Sequence, residues 1–209
     1  MSVDTNHRLI AVLRGIRPSE TEEMITTLIG AGFRAMEITM NSPEPLESIK
    51  IAIDVVNRLA PDECLIGAGT VLRMDQVEQV HALGGNLIVS PDANADVIAR
   101  TAELGMHSYP GVFSPTEAFL ALRSGATGLK FFPASGLGAD TIKGIRAVLP
   151  TQTRVFAVGG VGPEDFAEYA AAGVDGFGLG SNLYKAGRSA TQVGERARAA
   201  VDSMVKTYE

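Results

Sequence analysis

Residues 34–68 read RAMEITMNSPEPLESIKIAIDVVNRLAPDECLIGA and contain one complete strand–helix–strand unit. The apolar runs at residues 34–39 and 65–68 are typical of buried strands. Between them, Ser42-Pro43 predicts a helix start, with Ser as the cap and Pro in the first turn, and apolar residues then recur at helical spacing. Two strands joined by a helix of this length pair in parallel. The stretch therefore predicts a βαβ unit.

The same pattern recurs along the whole chain. Apolar or β-branched runs lie at residues 9–13, 34–39, 65–68, 87–89, 107–109, 128–132, 154–158 and 176–179, with room between them for one helix and two short loops. Eight such α/β units can close into a barrel. The competing doubly wound open sheet lacks its Gly-rich first turn, because the first run is followed by Arg14-Gly15-Ile16-Arg17-Pro18. We therefore predict a single-domain (β/α)8 (TIM) barrel over residues 1–209.

Composition and charge exclude several classes of protein. The 209 residues suffice for one core, and 18 Lys and Arg against 24 Asp and Glu give a net charge of −6 without a basic cluster, so no nucleic-acid partner is expected. The single cysteine, Cys64, cannot form an internal disulfide, and the N-terminus lacks a signal-peptide pattern. No apolar run approaches the roughly 20 residues of a membrane span. We therefore expect a cytoplasmic protein with no membrane partner.

Residues that follow the strands of such a barrel meet at its C-terminal end, where enzymes of this fold carry their active sites. They are Arg14, Glu37, Thr39, Asn41, Thr70, Ser90, Pro91, Pro110, Lys130, Gly159, Gly160, Gly180 and Ser181. None of the three histidines (His7, His81 and His107) is predicted there, so a three-ligand zinc site cannot be assembled. We expect neither a metal nor a cofactor.

Lys130 lies within an apolar strand, where burying a charged amine is costly. One interpretation is a lysine paired with a structural carboxylate. The other is a nucleophilic amine, because burial beside Phe131 or Phe132 and a nearby cation such as Arg14 would both favour the neutral form. A nucleophilic lysine at this position would form a Schiff base with a carbonyl substrate.

Glu37 is also a charged residue between apolar neighbours in a predicted strand. Burial should raise its pKa toward the range useful for proton transfer, although it could equally be the salt-bridge partner of Lys130. An amine and a proton shuttle at one barrel mouth are the minimum apparatus for imine and enamine chemistry.

The last two predicted strands are both followed by glycine. Gly159-Gly160 follows the seventh strand, and Gly180-Ser181, a glycine and a hydroxyl residue, follows the eighth. Backbone N–H groups at this position often hold a phosphate in small barrels. One Gly-Gly is commonly just a tight turn, but glycine-containing turns after both strands, with a hydroxyl in the second, favour a phosphorylated substrate.

Two long motifs resemble a known family. Residues 32–39, GFRAMEIT, and residues 125–134, GATGLKFFPA, are similar to the glutamate and Schiff-base lysine motifs of the bacterial 2-keto-3-deoxy-6-phosphogluconate (KDPG) and 2-keto-3-deoxy-6-phosphogalactonate (KDPGal) aldolases. Residues 66–71, IGAGTV, and 157–161, AVGGV, agree as well, so the resemblance covers nearly the whole chain.

The resemblance implies a class I aldolase, usually a homotrimer, that cleaves a keto-deoxy sugar acid phosphate into pyruvate and D-glyceraldehyde 3-phosphate. It implies that Lys130 forms the imine and that Glu37 shuttles protons. The remaining implied substrate-binding residues are Arg14 and Thr70 for the pyruvate carboxylate, Pro91 and Val158 beside the substrate, and Gly159, Gly160, Gly180 and Ser181 for the phosphate.

One departure from the motif bears on the substrate. In the gluconate type the glutamate motif is followed by a large apolar residue and then arginine, whereas here Thr39 is followed by Met40-Asn41. Val158 also replaces the threonine usual in the gluconate type, and one lost hydroxyl is worth on the order of 1 kcal/mol. The sequence therefore favours the galactonate epimer, while the missing arginine weakens the prediction of the phosphate contacts.

Three alternatives remain open at this point. The substrate could be the C4 epimer, 2-dehydro-3-deoxy-6-phosphogluconate. The enzyme could be a phosphosugar isomerase or epimerase that uses Glu37 as base and Lys130 only as a charge. The protein could also be a sugar-phosphate sensor without catalysis.

Overall fold

The computed structural model describes residues 7–61 and 63–209. Strands and helices alternate along the chain. The strands are β1 (Leu9–Leu13), β2 (Ala35–Thr39), β3 (Leu65–Gly69), β4 (Leu87–Val89), β5 (His107–Tyr109), β6 (Gly111–Val112), β7 (Gly128–Phe131), β8 (Arg154–Val158) and β9 (Gly176–Leu179). The helices are α1 (Pro18–Gly30), α2 (Pro45–Leu59), α3 (Met74–Ala82), α4 (Ala95–Glu103), α5 (Pro115–Arg123), α6 (Ala134–Leu137), α7 (Ala139–Arg146), α8 (Phe166–Ala171) and α9 (Ala190–Tyr208).

The strands form a parallel sheet that curls into a barrel, in the order β5-β4-β3-β2-β1-β9-β8-β7-β6. The two ends of this order, β5 and β6, are consecutive in the chain and are separated only by Pro110. β5 pairs with β4 and β6 pairs with β7, so together they occupy the fifth position of an eight-fold barrel. The predicted (β/α)8 barrel is therefore confirmed, with one strand divided in two.

Pro110 accounts for the division of the fifth strand. Proline has no N–H to donate to a strand ladder. Its carbonyl still accepts a hydrogen bond from the backbone N–H of Lys130 at 2.9 Å. The Pro110 carbonyl thus helps to fix the backbone that carries Lys130.

Helix starts were predicted less well than strands. Ser114 caps α5 as its sequence suggests, with its Oγ accepting from the backbone N–H of Glu117. The prediction for Ser42-Pro43 is wrong, because α2 begins at Pro45 after Glu44, which has a left-handed backbone. The Oγ of Ser42 accepts instead from the backbone N–H of Gly15 at 2.9 Å. Ser42 therefore joins two loops rather than capping a helix.

Apolar side chains pack against both faces of the barrel wall in two clusters. The larger lies between the strands and the helices and includes Leu13, Ile25, Ile38 and Phe177. The smaller fills the barrel interior and includes Tyr109 and Phe156, whose rings meet edge to face at 5.0 Å. Cys64 is buried and has a free thiol, as expected of a small core residue.

The described residues contain neither a membrane-spanning helix nor a cluster of metal ligands. Within residues 7–61 and 63–209, no helix has the length and apolar character needed to cross a bilayer. Over the same residues, no three His, Cys, Asp or Glu side chains lie together in a way that could hold a metal ion.

Candidate active site

A cavity of about 310 Å³ opens at the C-terminal end of the barrel. The residues that line it lie on or directly after β1, β2, β7, β8 and β9. Its walls are formed by Val12, Arg14, Glu37, Lys130, Phe132, Val158, Gly159, Gly160, Val161, Gly178, Gly180, Ser181 and Asn182. Most of the residues predicted from the strand ends are therefore brought together in one place.

Lys130 is buried in the wall of this cavity, with 6% of its surface exposed. Its Nζ donates a hydrogen bond to the Ser90 carbonyl at 3.1 Å and lies 4.5 Å from the centroid of the Phe132 ring. Across the described ranges, 7–61 and 63–209, the amine makes no ion pair with a carboxylate. The interpretation of Lys130 as half of a structural salt bridge is therefore wrong.

Glu37 projects from β2 into the same cavity and is 2% exposed. Its carboxyl group occupies space that a glycine on the neighbouring strand leaves free, because a Cβ on Gly69 would lie 1.0 Å from Oε2. No hydrogen-bond partner within the described part of the chain reaches the buried Oε2. A buried carboxyl oxygen without a hydrogen-bond partner disfavours the charged form of the group.

Burial changes the pKa values of both groups in the direction that catalysis needs. Loss of hydration raises the pKa of Glu37 to about 7, although the positive charges of Lys130 and Arg14 oppose the rise. Loss of hydration also lowers the pKa of Lys130, an effect that outweighs the attraction of Glu37. A carboxyl group that titrates near neutrality can exchange protons, and an amine with a lowered pKa can attack a carbonyl carbon.

Arg14 lies at the mouth of the cavity and is held from two sides. Its Nη1 donates to Oδ1 of Asn41 at 2.8 Å, and its Nη2 donates to Oγ1 of Thr70 at 3.2 Å. Thr70 has a φ of +55°, which is uncommon for a β-branched residue and occurs most often at functional positions. The guanidinium is therefore a positioned cation at the cavity entrance.

The loops after β8 and β9 present backbone N–H groups to the cavity rather than charged side chains. Gly159 and Gly160 have φ values of +92° and +75°, and a Cβ on Gly160 would lie 2.2 Å from Oγ of Ser135. In the part of the chain that the structure describes, the backbone N–H groups of Gly160 and Ser181 donate to no acceptor. Free N–H groups in such loops are suited to an anion.

Two of the predicted substrate-binding residues, Thr70 and Pro91, do not line the cavity, and neither do the strand-end residues Thr39, Asn41, Ser90 and Pro110. Thr70 contacts Arg14, and the Pro91 carbonyl lies close to the backbone of Gly111. Asn41, which stands where the gluconate type has arginine, accepts a hydrogen bond from Arg14.

Several wall residues were not predicted from the sequence as site residues. They are Val12, Phe132, Val161, Gly178 and Asn182. A signal was present for Val161 and Asn182, which directly follow Gly160 and Ser181, and for Phe132, which lies two residues after Lys130. Val12 and Gly178 lie inside strands, and only the inward direction of their side-chain positions in the barrel brings them to the cavity.

The cavity has the composition expected of an enzyme that activates a carbonyl group, and comparison with known proteins identifies the class. The sequence pattern of the KDPG and KHG aldolases matches residues 2–197, and the chain belongs to this family.

Within the family, the similarity is high to proteins named for the galactonate substrate. The chain is 52% identical over 200 residues to a probable 2-dehydro-3-deoxy-6-phosphogalactonate aldolase of Rhizobium meliloti strain 1021, covering 96% of this chain and 92% of that protein. It is 46% identical over 208 residues to the 2-dehydro-3-deoxy-6-phosphogalactonate aldolase of Escherichia coli strain K12, covering 100% and 98%. A solved structure described as native KDPGal superposes with a TM-score of 0.94 at 44% identity, covering 99% of this chain and 98% of the other.

Proposed function

We propose that this protein is a class I aldolase that cleaves 2-dehydro-3-deoxy-6-phosphogalactonate into pyruvate and D-glyceraldehyde 3-phosphate. The observation that carries the proposal is the pair of Lys130 and Glu37, both buried in the wall of one cavity, with the pKa of Glu37 raised and that of Lys130 lowered by burial. An isomerase that used Lys130 only as a charge would gain nothing from a lowered amine pKa.

In the proposed cycle, the neutral Nζ of Lys130 attacks C2 of the substrate and water is lost. The positive charge of the resulting protonated imine lies at the Lys130 nitrogen. This nitrogen lies over the Phe132 ring, and an aromatic face stabilises a cation. The imine withdraws electrons from C3, so it supplies the electron sink that the reaction requires.

Bond cleavage follows when Glu37 takes the proton of the C4 hydroxyl, directly or through a water molecule. The C3–C4 bond breaks, its electrons pass into the imine, and glyceraldehyde phosphate leaves an enamine of pyruvate. Glu37 then returns the proton to C3, and water hydrolyses the imine to release pyruvate. The carboxyl group therefore acts first as base and then as acid, which suits its pKa of about 7.

The substrate is held at its two ends in this proposal. Arg14, with Thr70 beside it, binds the carboxylate next to C2, while the N–H groups of Gly160 and Ser181 bind the phosphate. Gly159 and Gly180 complete the phosphate loops, and both line the cavity.

The choice of epimer is supported by Val158 in the cavity wall and by the similarity to relatives named for the galactonate substrate. A coupled assay for pyruvate, run with both C4 epimers, tests it. We expect faster cleavage of the galactonate epimer. A preference for the gluconate epimer would overturn the assignment, and binding of either phosphate ester without pyruvate release would favour the isomerase or the sensor.

We also propose that the protein is a cytoplasmic homotrimer that acts in galactonate degradation. Large apolar side chains are exposed at Leu72, Met74 and Phe113, as expected of a chain that buries surface against copies of itself. Light scattering tests the assembly, and a monomeric mass at micromolar concentration would contradict it.

A further inference from the structure

Asn41 holds Arg14 without neutralising it. The side-chain Oδ1 of Asn41 accepts from Nη1 of Arg14 at 2.8 Å, and both residues are exposed at the entrance of the cavity. An exposed arginine side chain samples many rotamers unless hydrogen bonds restrict it. A carboxylate at this position would restrict it too, but it would occupy the charge that an anionic substrate needs. An amide restricts the direction of the guanidinium and leaves its full charge.

The backbone that carries Asn41 is itself fixed on both sides. The N–H of Met40 donates to the carbonyl of Gly69 at 2.8 Å, and the N–H of Ser42 donates to the carbonyl of Thr39 at 2.9 Å. These bonds join the segment after β2 to the end of β3 and to its own strand. The amide of Asn41 is therefore presented from a short rigid turn.

The loop that carries Arg14 is joined to the same turn. The N–H of Gly15 donates to Oγ of Ser42 at 2.9 Å, and that oxygen shares a second hydrogen bond of 2.9 Å with Oγ1 of Thr39. Ser42 and Thr39 are both buried. Ser42 therefore joins the two loops that carry Asn41 and Arg14.

We propose that Asn41 is a positioning residue that aims the Arg14 guanidinium at the carboxylate of the substrate, and that it determines how strongly the site prefers carbonyl compounds that carry a carboxylate. The inference rests on the proposed function, because it takes the Lys130 imine as the reaction that reports binding.

The test compares imine trapping with two ketones. Pyruvate carries a carboxylate and acetone does not, so their relative rates of borohydride trapping at Lys130 measure carboxylate recognition separately from amine reactivity. Asn41→Ala should lower trapping by pyruvate about 10-fold, the effect of losing one orienting hydrogen bond to a charged group. Trapping by acetone should be unchanged.

Asn41→Asp provides a second and larger effect. The new carboxylate would pair with Arg14 and repel pyruvate, so pyruvate trapping should fall on the order of 30-fold. Asn57→Asp is the matched control, because Asn57 is exposed on α2 and lies outside the cavity. It should leave both ketones unaffected, and thermal melting should show that all variants fold.

Each outcome is decisive. Equal losses with pyruvate and acetone, no loss in Asn41→Ala, or an Asp variant no worse than the Ala variant would overturn the role of Asn41 while leaving the aldolase proposal intact. Failure of the unmodified protein to trap either ketone at Lys130 would overturn the proposed function, and the inference with it.

Discussion

Strands β2 and β7 carry two buried ionisable groups in the cavity wall, Glu37 and Lys130. Among the described residues, β8, β9 and the loops that follow them contribute only uncharged residues to the wall. Charged side chains with altered pKa values can make and break bonds, whereas fixed N–H groups can bind an anion without taking part in chemistry. We therefore propose that the ionisable pair carries out the reaction and that the glycine loops bind the phosphate, so substitutions in these two regions should affect different kinetic constants.

The largest effect is expected in the ionisable pair, from Glu37→Gln. Exchange of the pyruvate methyl protons with solvent should slow by a factor on the order of 100 or more, because glutamine cannot accept the proton. Exchange is measured by NMR in deuterated buffer, with Glu47→Gln, an exposed change on α2, as control. Normal exchange in Glu37→Gln would remove this residue as the proton shuttle.

The pH dependence of the same exchange sharpens this result. The pKa of Glu37 is raised to about 7, so the carboxylate form that acts as base increases as the pH rises through that value. Exchange in the unmodified protein should rise over this range, while the small residual rate of Glu37→Gln should not follow the same curve.

A smaller effect is expected in the glycine loops, from Gly160→Ala. The residue has a φ of +75°, and the added Cβ would lie 2.2 Å from Oγ of Ser135, so the loop must shift. The KM for the phosphorylated substrate should rise about 10-fold with little change in kcat, since the change removes binding and not chemistry. Gly144→Ala on α7 is the control, because its Cβ meets nothing within 4 Å.

Pyruvate exchange distinguishes the ionisable pair from the glycine loops in this variant. Pyruvate has no phosphate, so Gly160→Ala should exchange its methyl protons at the normal rate. A large fall in exchange would contradict the assignment of reaction to the ionisable pair and of phosphate binding to the glycine loops.

The smallest effect is expected from Val158→Thr, which adds one hydroxyl to the cavity wall while keeping the volume of the side chain. The ratio of the kcat/KM values for the two C4 epimers should move toward the gluconate form by about 5-fold, the effect of one hydrogen bond. Val148→Thr, at a residue that is 60% exposed, is the control. An unchanged ratio would show that Val158 does not contribute to the choice of epimer.

The sequence predicted the barrel and the main site residues because both follow from local patterns. The run containing Lys130 is apolar on both sides of the lysine, so its burial could be inferred without coordinates. The space beside Glu37 could not be inferred, since it depends on Gly69 from the neighbouring strand. Ser42 was misassigned for a related reason: Ser-Pro is a common helix start, and only the fold brings Gly15 within reach of its hydroxyl.

The hydrogen bonds around Arg14 also depend on contacts between distant parts of the sequence. Asn41 and Thr70 come from the ends of two other strands, 27 and 56 residues away in sequence. Strand-end analysis places all three at the barrel mouth but cannot give the direction in which the guanidinium points.

The central claim, that the buried amine of Lys130 is the nucleophile, is tested most directly by reducing the protein with borohydride in the presence of pyruvate and mapping the modified peptide. The modification should appear on the peptide containing Lys130, should be lost in Lys130→Arg, and should persist in Lys143→Arg, where the replaced lysine is exposed on α7. An unmodified Lys130 with the label on another lysine would contradict the account.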